Sequence, residues 1–416
     1  MKIAFISYEY PLDTAIGGIA TYNYQAANLM QQRGHQVEVF SGSSHRSGCI
    51  DDNGVVVHLV KSEGRSDFAE QVVSTFVERH HELKFDVIES PEIGAESFHI
   101  TNIVPDVPLV VKLHTPSFLL SEINYTPPTL KMKFRRVIGS LRRGKLPMPF
   151  SKTVYDFSQD REYIQTNKAD LVSAPSKSLG NKLIAAWHLD PDKVWVLPSP
   201  YLPSAELLKI PIESQFQRIT FIGRLEVRKG ILDLADAIPV VLKRYPKVLF
   251  RFVGPAWPSP EPEMDMRQYL LKRLRRYREN LEFSGAVTPE QIPKFLAETD
   301  ICVFPSRWEN FPNVCLEAMA AGRGIVASNA GGMTDMLASG NAGYLVPPKA
   351  PSAIALAICK LISDPSLRMR LGKAARARVL AEYSSDKIGD LQEASYKEAI
   401  KRRHTSTSRR IELMKI

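Results

Sequence analysis

Short apolar segments and amphipathic helical segments alternate along this chain, and the alternation occurs twice. Residues 2–7 read as a buried strand, residues 19–33 as a helix and residues 37–40 as a second strand, and a similar pattern begins again at Arg218. Because parallel neighbouring strands need a crossover connection, usually a helix, this alternation is typical of parallel sheets covered by helices. The sequence therefore predicts the α/β class.

A proline-rich segment, 198–203, separates the two alternating regions. A chain of 416 residues is long enough for two domains. Proline-rich linkers are typical of domain boundaries. We therefore predict a first domain over 1–200 and a second over 201–383.

Two acidic residues lie in the central stretch of the second domain. A strand over 301–304 leads into a polar loop that contains Glu309, and a helix with Glu317 begins near Asn313, a plausible N-cap residue. The start of such a helix favours an anion such as phosphate. Acids beside a bound phosphate are expected to accept hydrogen bonds from sugar hydroxyls. As an isolated pair, they would instead be a solvated loop acid and a complement to the helix dipole.

A basic loop follows the first strand of the second domain. Arg224 and Lys229 lie between a strand over 218–222 and a helix that begins near Ile231. Ligands of open α/β sheets bind at the carboxyl ends of the strands. Arg and Lys there can neutralise a diphosphate. Taken alone, the loop could also be a solvated basic surface.

Together these residues resemble the nucleotide-sugar-dependent glycosyltransferases of family 4. The resemblance implies the GT-B fold, in which two Rossmann-like parallel-sheet domains face each other across a cleft, and transfer with retention of anomeric configuration. It also implies that residues 384–416 form a helix returning to the first, acceptor-binding domain, followed by a basic tail. The residues that carry the resemblance are Gly223, Arg224, Leu225, Lys229, Gly230, Pro305, Ser306, Glu309, Phe311, Pro312, Val314, 316–320, Gly322, Gly331 and Gly332.

The resemblance also implies roles for individual residues. Arg224 and Lys229 would bind the donor diphosphate, Glu317 the ribose, Glu309 the transferred sugar, and backbone groups near Val287 the base. The implied donor-binding set is Gly17, Gly18, Gly223, Arg224, Lys229, Val287, Glu309, Asn310, Phe311, Pro312, Asn313, Val314 and Glu317, and the implied catalytic set is His114, Arg224, Lys229 and Glu309.

His114 follows a predicted buried strand over 109–113, so we expect it to face the cleft. It resembles the family histidine that borders the reacting sugar. A lone histidine is more often a structural, hydrogen-bonded residue.

The implied reaction is transfer of a hexose from a nucleotide-diphosphate sugar to a sugar or lipid-linked acceptor in polysaccharide, including exopolysaccharide, or glycolipid synthesis. A UDP-sugar such as UDP-glucose is the expected donor. The alternatives are an epimerase or phosphorylase of the same fold, or a noncatalytic nucleotide-sugar-binding protein. No carboxylate stands out as a nucleophile.

Several function classes are disfavoured by what the sequence lacks. The loop with Gly17 and Gly18 does not match the G-x-G-x-x-G pattern of a dehydrogenase. Asp190 and Asp192 match a metal-binding D-x-D pattern, but the intervening proline favours a turn. We therefore expect neither a metal nor a cofactor.

The net charge of +9 is concentrated in patches. Residues 131–145 include seven basic residues and no acid, interleaved with apolar ones. This pattern suits a basic helix lying on an anionic membrane surface, and it suits an ordinary solvated helix equally well. No nucleic-acid-reading motif accompanies the patches, so nucleic acid is not an expected partner.

The cysteines and the amino terminus favour a cytoplasmic protein, and the basic segment 131–145 would allow a peripheral position on the inner face of the plasma membrane. Four cysteines show no paired spacing, as expected of reduced, buried thiols. The apolar run at the amino terminus is too short for a signal peptide, and no stretch approaches the roughly 20 apolar residues of a membrane span.

Overall fold

The computed structural model describes residues 1–14, 17–124, 138–140 and 155–413. They form two mostly parallel sheets, each flanked by helices, as the sequence predicts. Within the described ranges, no helix is both long enough and apolar enough to cross a membrane.

The first sheet has eight strands in the order β3-β4-β2-β1-β5-β6-β7-β8, and only β3 runs antiparallel to its neighbour. Its strands are β1 (Lys2–Ser7), β2 (Gln36–Ser43), β3 (Gly48–Asp52), β4 (Val55–Lys61), β5 (Val87–Pro91), β6 (Leu109–Lys112), β7 (Leu171–Ala174) and β8 (Val194–Val196). The accompanying helices are α1 (Gly18–Gln32), α2 (Arg65–Leu83), α3 (Phe98–Ile103), α4 (Ser117–Asn124), α5 (Arg161–Lys168) and α6 (Lys177–Trp187).

The second sheet has six parallel strands in the order β11-β10-β9-β12-β13-β14. Its strands are β9 (Arg218–Ile222), β10 (Leu249–Val253), β11 (Leu281–Gly285), β12 (Ile301–Phe304), β13 (Gly324–Ser328) and β14 (Tyr344–Val346). The helices are α7 (Ala205–Lys209), α8 (Ile231–Arg244), α9 (Met266–Arg273), α10 (Ile292–Ala297), α11 (Asn313–Ala320), α12 (Met333–Met336), α13 (Pro351–Ser363) and α14 (Pro365–Glu382).

Both faces of the second sheet are buried. In β9, Ile219 and Phe221 belong to one hydrophobic cluster, whereas Ile222 belongs to the cluster on the opposite face. Alternate residues of a strand point to opposite faces, so a strand covered on both sides is apolar throughout. This explains why the parallel strands could be recognised from apolar runs.

The last helix, α15 (Ser385–Leu413), packs against the first domain. Its Tyr396 hydroxyl donates to the buried Glu89 carboxylate at 2.7 Å, and Tyr22 of α1 donates to the same carboxylate at 2.6 Å. Gln392 donates to Tyr396 at 2.8 Å. The buried acid therefore joins α15 to the helix that forms one wall of the cleft.

Two sequence predictions need correction. Asn313 is the first helical residue of α11, with Pro312 at the cap position, so the N-cap assignment was wrong. Cys49 is exposed, whereas the other three cysteines are buried as expected. The final helix continues to Leu413. Most of the basic segment 131–145 lies outside the described residues.

Candidate active site

A cleft of about 490 Å³ lies between the two domains. The first domain contributes α1 and the preceding Gly17, together with the segments that follow β5 and β6. The second contributes the loop after β9 and the segment from Trp308 to Val314. Because the carboxyl ends of the strands supply most of this lining, the cleft occupies the usual ligand position of open α/β sheets.

The loop after β9 places three cations at the cleft, Arg224, Arg228 and Lys229. Gly230 ends the loop with φ of 71°, and a Cβ there would lie 1.9 Å from the Pro305 carbonyl oxygen. Only glycine tolerates both this dihedral angle and this close approach. The basic loop is therefore fixed against the start of the loop that follows β12, the strand next to β9 in the sheet.

The cations of this loop contact acids of the same domain. The Glu226 carboxylate lies 3.2 Å from Arg224 and 2.9 Å from Arg228. Lys229 donates to the Glu309 carboxylate at 2.5 Å. Burial raises the pKa of Glu309, but the charges of Lys229 and Arg228 and the hydrogen bond from Lys229 outweigh it, so that pKa lies below its usual value. Glu309 is therefore a carboxylate at neutral pH.

The glycine pair after β13 shapes the loop that carries Glu309. The Gly332 N–H donates to the Glu309 carbonyl at 2.8 Å, and a Cβ on Gly332 would lie 1.7 Å from the Asn310 carbonyl oxygen. Gly331 has φ of 67°, and a Cβ there would lie 2.1 Å from the Glu309 carbonyl oxygen. The two loops are thus in backbone contact, which holds the Glu309 side chain toward the basic loop.

Helix α11 directs its first turn at the cleft, where Asn313 and Val314 are part of the lining. The preceding Phe311 lies edge-on to Tyr383, with the ring centroids 5.1 Å apart. The positive end of the helix dipole thereby adds to the charge of the three cations.

Glu317 lies further along α11 and is not part of the cleft lining. Burial raises the pKa of its carboxyl to about 7. Its Oε2 atom is buried and has no hydrogen-bond partner among the described residues. A buried carboxylate oxygen without a hydrogen-bond partner can accept a hydrogen bond from a ligand hydroxyl.

His114 enters the cleft from the first domain, directly after Leu113. Its backbone N–H donates to both Glu92 carboxylate oxygens at 2.8 Å, and its ring lies edge-on to Tyr22 at a centroid distance of 5.5 Å. Burial, with smaller effects from Lys112 and Arg65, lowers the pKa of His114 to about 3. The imidazole is therefore neutral, and within the described structure its buried Nε2 has no hydrogen-bond partner.

Asn310 joins the two sides of the cleft. Its amide donates to the His114 carbonyl and to the Thr115 hydroxyl of the first domain. The Trp308 indole donates to the Asn310 side-chain oxygen at 2.6 Å. The loop that contains Glu309 and Asn310 in the second domain is therefore hydrogen-bonded to the segment that contains His114 in the first.

Comparison with known proteins identifies the family. A family model described as Glycosyltransferase Family 4 matches residues 16–201, and a second, described as Glycosyl transferases group 1, matches residues 207–378. The chain belongs to the family 4 glycosyltransferases. An enzymatic role as a transferase follows, which disfavours the noncatalytic alternative.

Individual relatives agree with this family. An uncharacterized glycosyltransferase of Methanocaldococcus jannaschii is 28% identical over 414 residues, covering 93% of this chain and 96% of the relative. Sucrose-phosphate synthase from Thermosynechococcus elongatus has a similar structure, with a TM-score of 0.70 and 19% identity over 96% of this chain and 99% of that one. HepE of Anabaena, solved with UDP, has a TM-score of 0.67 and 20% identity over 95% of this chain and all of that one. These structural likenesses confirm the GT-B fold.

The cleft of this family 4 glycosyltransferase brings most of the predicted site residues together. Gly223, Val287 and Glu317 are not part of its lining, although Gly223 and Glu317 are close in sequence to residues that are. The predicted residues that do form the lining are Gly17, Gly18, His114, Arg224, Lys229, Glu309, Asn310, Phe311, Pro312, Asn313 and Val314.

Other lining residues were not singled out in the sequence. Arg228 directly precedes Lys229, so its position in the basic loop was a usable signal. Thr115 directly follows His114 and Trp308 directly precedes Glu309, which was a similar signal, whereas no motif marked Glu9 or Tyr22. Glu9 is ion-paired with Arg65, and its Oε2 would lie 3.3 Å from a Cβ on Gly17.

The predicted proline turn at Asp190 is confirmed. The Asp190 side chain accepts from the Asp192 backbone N–H at 3.0 Å and caps the short helical turn that follows. In the part of the chain that the structure describes, no group of three or more His, Cys, Asp or Glu side chains could hold a metal ion. Metal independence stays a prediction.

Proposed function

We propose that this glycosyltransferase moves a hexose from a UDP-sugar, with UDP-glucose the first candidate, to a hydroxyl of a saccharide or lipid-linked acceptor, with retention of anomeric configuration. The observation that carries the proposal is the adjacency of the basic loop and the ionised Glu309 in one interdomain cleft. The basic loop suits a diphosphate, and the Glu309 carboxylate suits the hydroxyls of the attached sugar.

The leaving group is a nucleoside diphosphate whose charge grows as the bond to the sugar breaks. Arg224, Arg228 and Lys229 would stabilise that charge, and the start of α11 would add to their effect. This arrangement supplies positive charge from the protein itself. We therefore propose that no metal is needed.

The transferred sugar would lie between Glu309 and His114. An ionised carboxylate accepts hydrogen bonds from two hydroxyls at once, which fixes the orientation of the ring. His114 stays neutral, so it would contribute a hydrogen bond to the sugar or to the leaving oxygen and would add no charge.

Retention would follow from attack on the same face that the leaving group departs from. The bond between the anomeric carbon and the phosphate oxygen breaks, the acceptor oxygen bonds to that carbon, and the acceptor proton moves to the departing phosphate. Glu309 is held by Lys229 at 2.5 Å, which favours its role in orienting the sugar over one as a nucleophile.

The acceptor would bind to the wall of the first domain. Thr21, Tyr22 and Gln25 of α1 line the cleft there, with Ile93 and Leu120 alongside. Polar groups beside apolar ones suit a sugar ring, which has hydroxyls at its edge and C–H groups on its face. The Anabaena protein HepE, which was solved with UDP-glucose, supports the choice of donor.

The test is acceptor-dependent release of UDP. Nucleotide sugars are first screened by thermal shift, and the donor that stabilises the protein is then incubated with a panel of sugar and lipid-linked acceptors. We expect UDP and an α-linked product from an α-linked donor, with the anomeric configuration read by NMR. UDP release that requires no acceptor would favour the epimerase, and dependence on inorganic phosphate would favour the phosphorylase.

We also propose that the basic segment 131–145 contacts anionic membrane near a lipid-linked acceptor. Its support is the sequence alone, with seven cations and no acid. Flotation with anionic and neutral liposomes is the test, and neutralising Arg135, Arg136, Arg142 and Arg143 should abolish binding to the anionic ones. Equal partitioning of the parent and the neutralised variant would reject the contact.

A further inference from the structure

The proline-rich segment 255–262 has no role in the chemistry described so far, yet it lies against the basic loop. It directly follows β10, whose neighbour β9 leads into that loop. A Cβ on Gly254 would lie 2.1 Å from the Gly223 carbonyl oxygen, so the two chain segments are in backbone contact at their start.

Backbone hydrogen bonds continue this contact. The Leu225 N–H donates to the Pro255 carbonyl at 2.9 Å, and the Trp257 N–H donates back to the Leu225 carbonyl at 3.2 Å. On its other side, the Trp257 carbonyl accepts from the Met266 N–H at 2.8 Å. Trp257 is therefore fixed by its backbone on both sides, although the residue is 44% exposed.

The Trp257 side chain contacts Arg224. The guanidinium carbon lies over the indole ring, 4.6 Å from its centroid. An exposed indole is normally unfavourable, and a tryptophan face is the strongest aromatic partner for a cation. A guanidinium held over a ring face keeps its in-plane N–H groups available for phosphate oxygens.

Apart from Trp257, few contacts restrict the Arg224 side chain. Its side chain is 44% exposed, and its acidic contact, Glu226, is shared with Arg228. A long exposed side chain loses much rotamer freedom when it binds a ligand. Restricting Arg224 beforehand lowers that entropic cost, which is how preorganisation increases affinity.

We propose that Trp257 is a positioning residue that holds Arg224 in place for the donor diphosphate. The inference rests on the proposed function, since it names how that site is organised. Trp257 itself is not part of the cleft lining, and its ring face is already occupied by Arg224. It therefore acts through the arginine and does not serve as a stacking platform for the nucleobase.

The test measures binding of UDP, of inorganic pyrophosphate and of uridine by calorimetry. Trp257→Ala should raise the Kd for UDP about fivefold and weaken pyrophosphate similarly, while binding of uridine stays unchanged. Trp257→Phe keeps a ring face and should recover most of the affinity. Tyr269→Ala is the matched control, because Tyr269 also contacts an arginine, Arg273, but lies outside the cleft lining.

A double-mutant cycle separates positioning from direct contact. In an Arg224→Ala background, Trp257→Ala should have no further effect on UDP affinity. An unchanged Kd for Trp257→Ala alone, an additive effect in the cycle, or equal weakening of uridine and UDP would each overturn the inference. Absence of UDP and pyrophosphate binding by the parent protein would instead overturn the proposed function, and this inference with it.

Discussion

The Lys229 ammonium donates to the Glu309 carboxylate at 2.5 Å, although the sequence assigned the two residues to different parts of the donor. The side chain of Glu309 is 9% exposed and that of Lys229 is 17% exposed. The pair therefore links the basic loop to the loop that contains Glu309. In the proposed function, the donor phosphate would contact Lys229 while the transferred sugar contacts Glu309, so both members of the pair would bind the same ligand.

Lys229→Ala is expected to destabilise the fold as well as weaken donor binding. Breaking a buried ion pair leaves an uncompensated charge, which costs about 3–5 kcal/mol when burial is complete. Because Lys229 is partly exposed, we expect about 2 kcal/mol in the free energy of unfolding, measured by urea denaturation. The double variant Lys229→Met with Glu309→Gln removes both charges and should recover much of this loss. Equal stability of Lys229→Ala and the parent would contradict the pairing.

The same pair predicts a direction for the pH dependence of stability. The folded-state pKa of Glu309 lies below its usual value of 4.5, so the ionised form is favoured by folding. Its contribution is present above pH 4.5 and is lost as the pH falls through the folded-state pKa. The Tm difference between the parent and Glu309→Gln should therefore shrink as the pH is lowered from 7 toward 3.

Glu317 should titrate near neutral pH in the free protein. Burial raises the pKa of its carboxyl to about 7, so folding favours the protonated form. Ionisation of the buried carboxyl therefore lowers the free energy of unfolding progressively as the pH rises from about 4.5 to 7. Glu317→Gln should accordingly gain stability relative to the parent at pH 8 but not at pH 4, as measured by Tm.

Binding of UDP should release part of a proton from Glu317. A ribose hydroxyl that donates to the carboxylate favours its ionised form and lowers the pKa. Calorimetry at pH 6.5 in two buffers with different ionisation enthalpies measures the released proton, and Glu317→Gln should remove it. Identical apparent enthalpies in both buffers would argue against a ribose contact.

The sequence predicted those features that depend on a single segment of the chain, such as strands and the loops that follow them. The parallel strands are apolar because both faces are buried, and Arg224 and Lys229 occupy a strand-to-helix loop whose place in the fold follows from chain order. Strand β3 was missed because none of its residues is buried and Ile50 is its one aliphatic residue, so no apolar run marks this antiparallel edge strand.

Contacts between segments that are distant in the sequence could not be predicted in the same way. The Lys229 and Glu309 side chains meet across 80 residues, and Asn310 reaches His114 across 196. Such contacts depend on the packing of whole domains, about which a local pattern carries no information. The charge state of His114 is a similar case, since it depends on burial among residues from several segments.

His114 should not contribute an ionisation to the pH profile of the reaction. With a pKa of about 3 the imidazole is neutral throughout the working range, so the rate should show no histidine limb near pH 6.5. His114→Ala should lower kcat about a hundredfold through loss of a hydrogen bond in the cleft. His114→Gln keeps a hydrogen-bonding group and should retain part of the rate. An imidazole resonance that titrates between pH 5 and 8 by NMR would contradict the neutral state.

Asn310 should control how far the two domains open. Its amide bonds to the His114 carbonyl and the Thr115 hydroxyl join the domains directly, so Asn310→Ala removes a link across the cleft. We expect a larger radius of gyration by small-angle X-ray scattering and a kcat lower by on the order of tenfold, because the reacting groups are less well aligned. Asn341→Ala, on the exposed surface of the same domain, is the control and should change neither quantity. If Asn310→Ala scatters like the parent while kcat falls, the side chain orients the donor without holding the domains together.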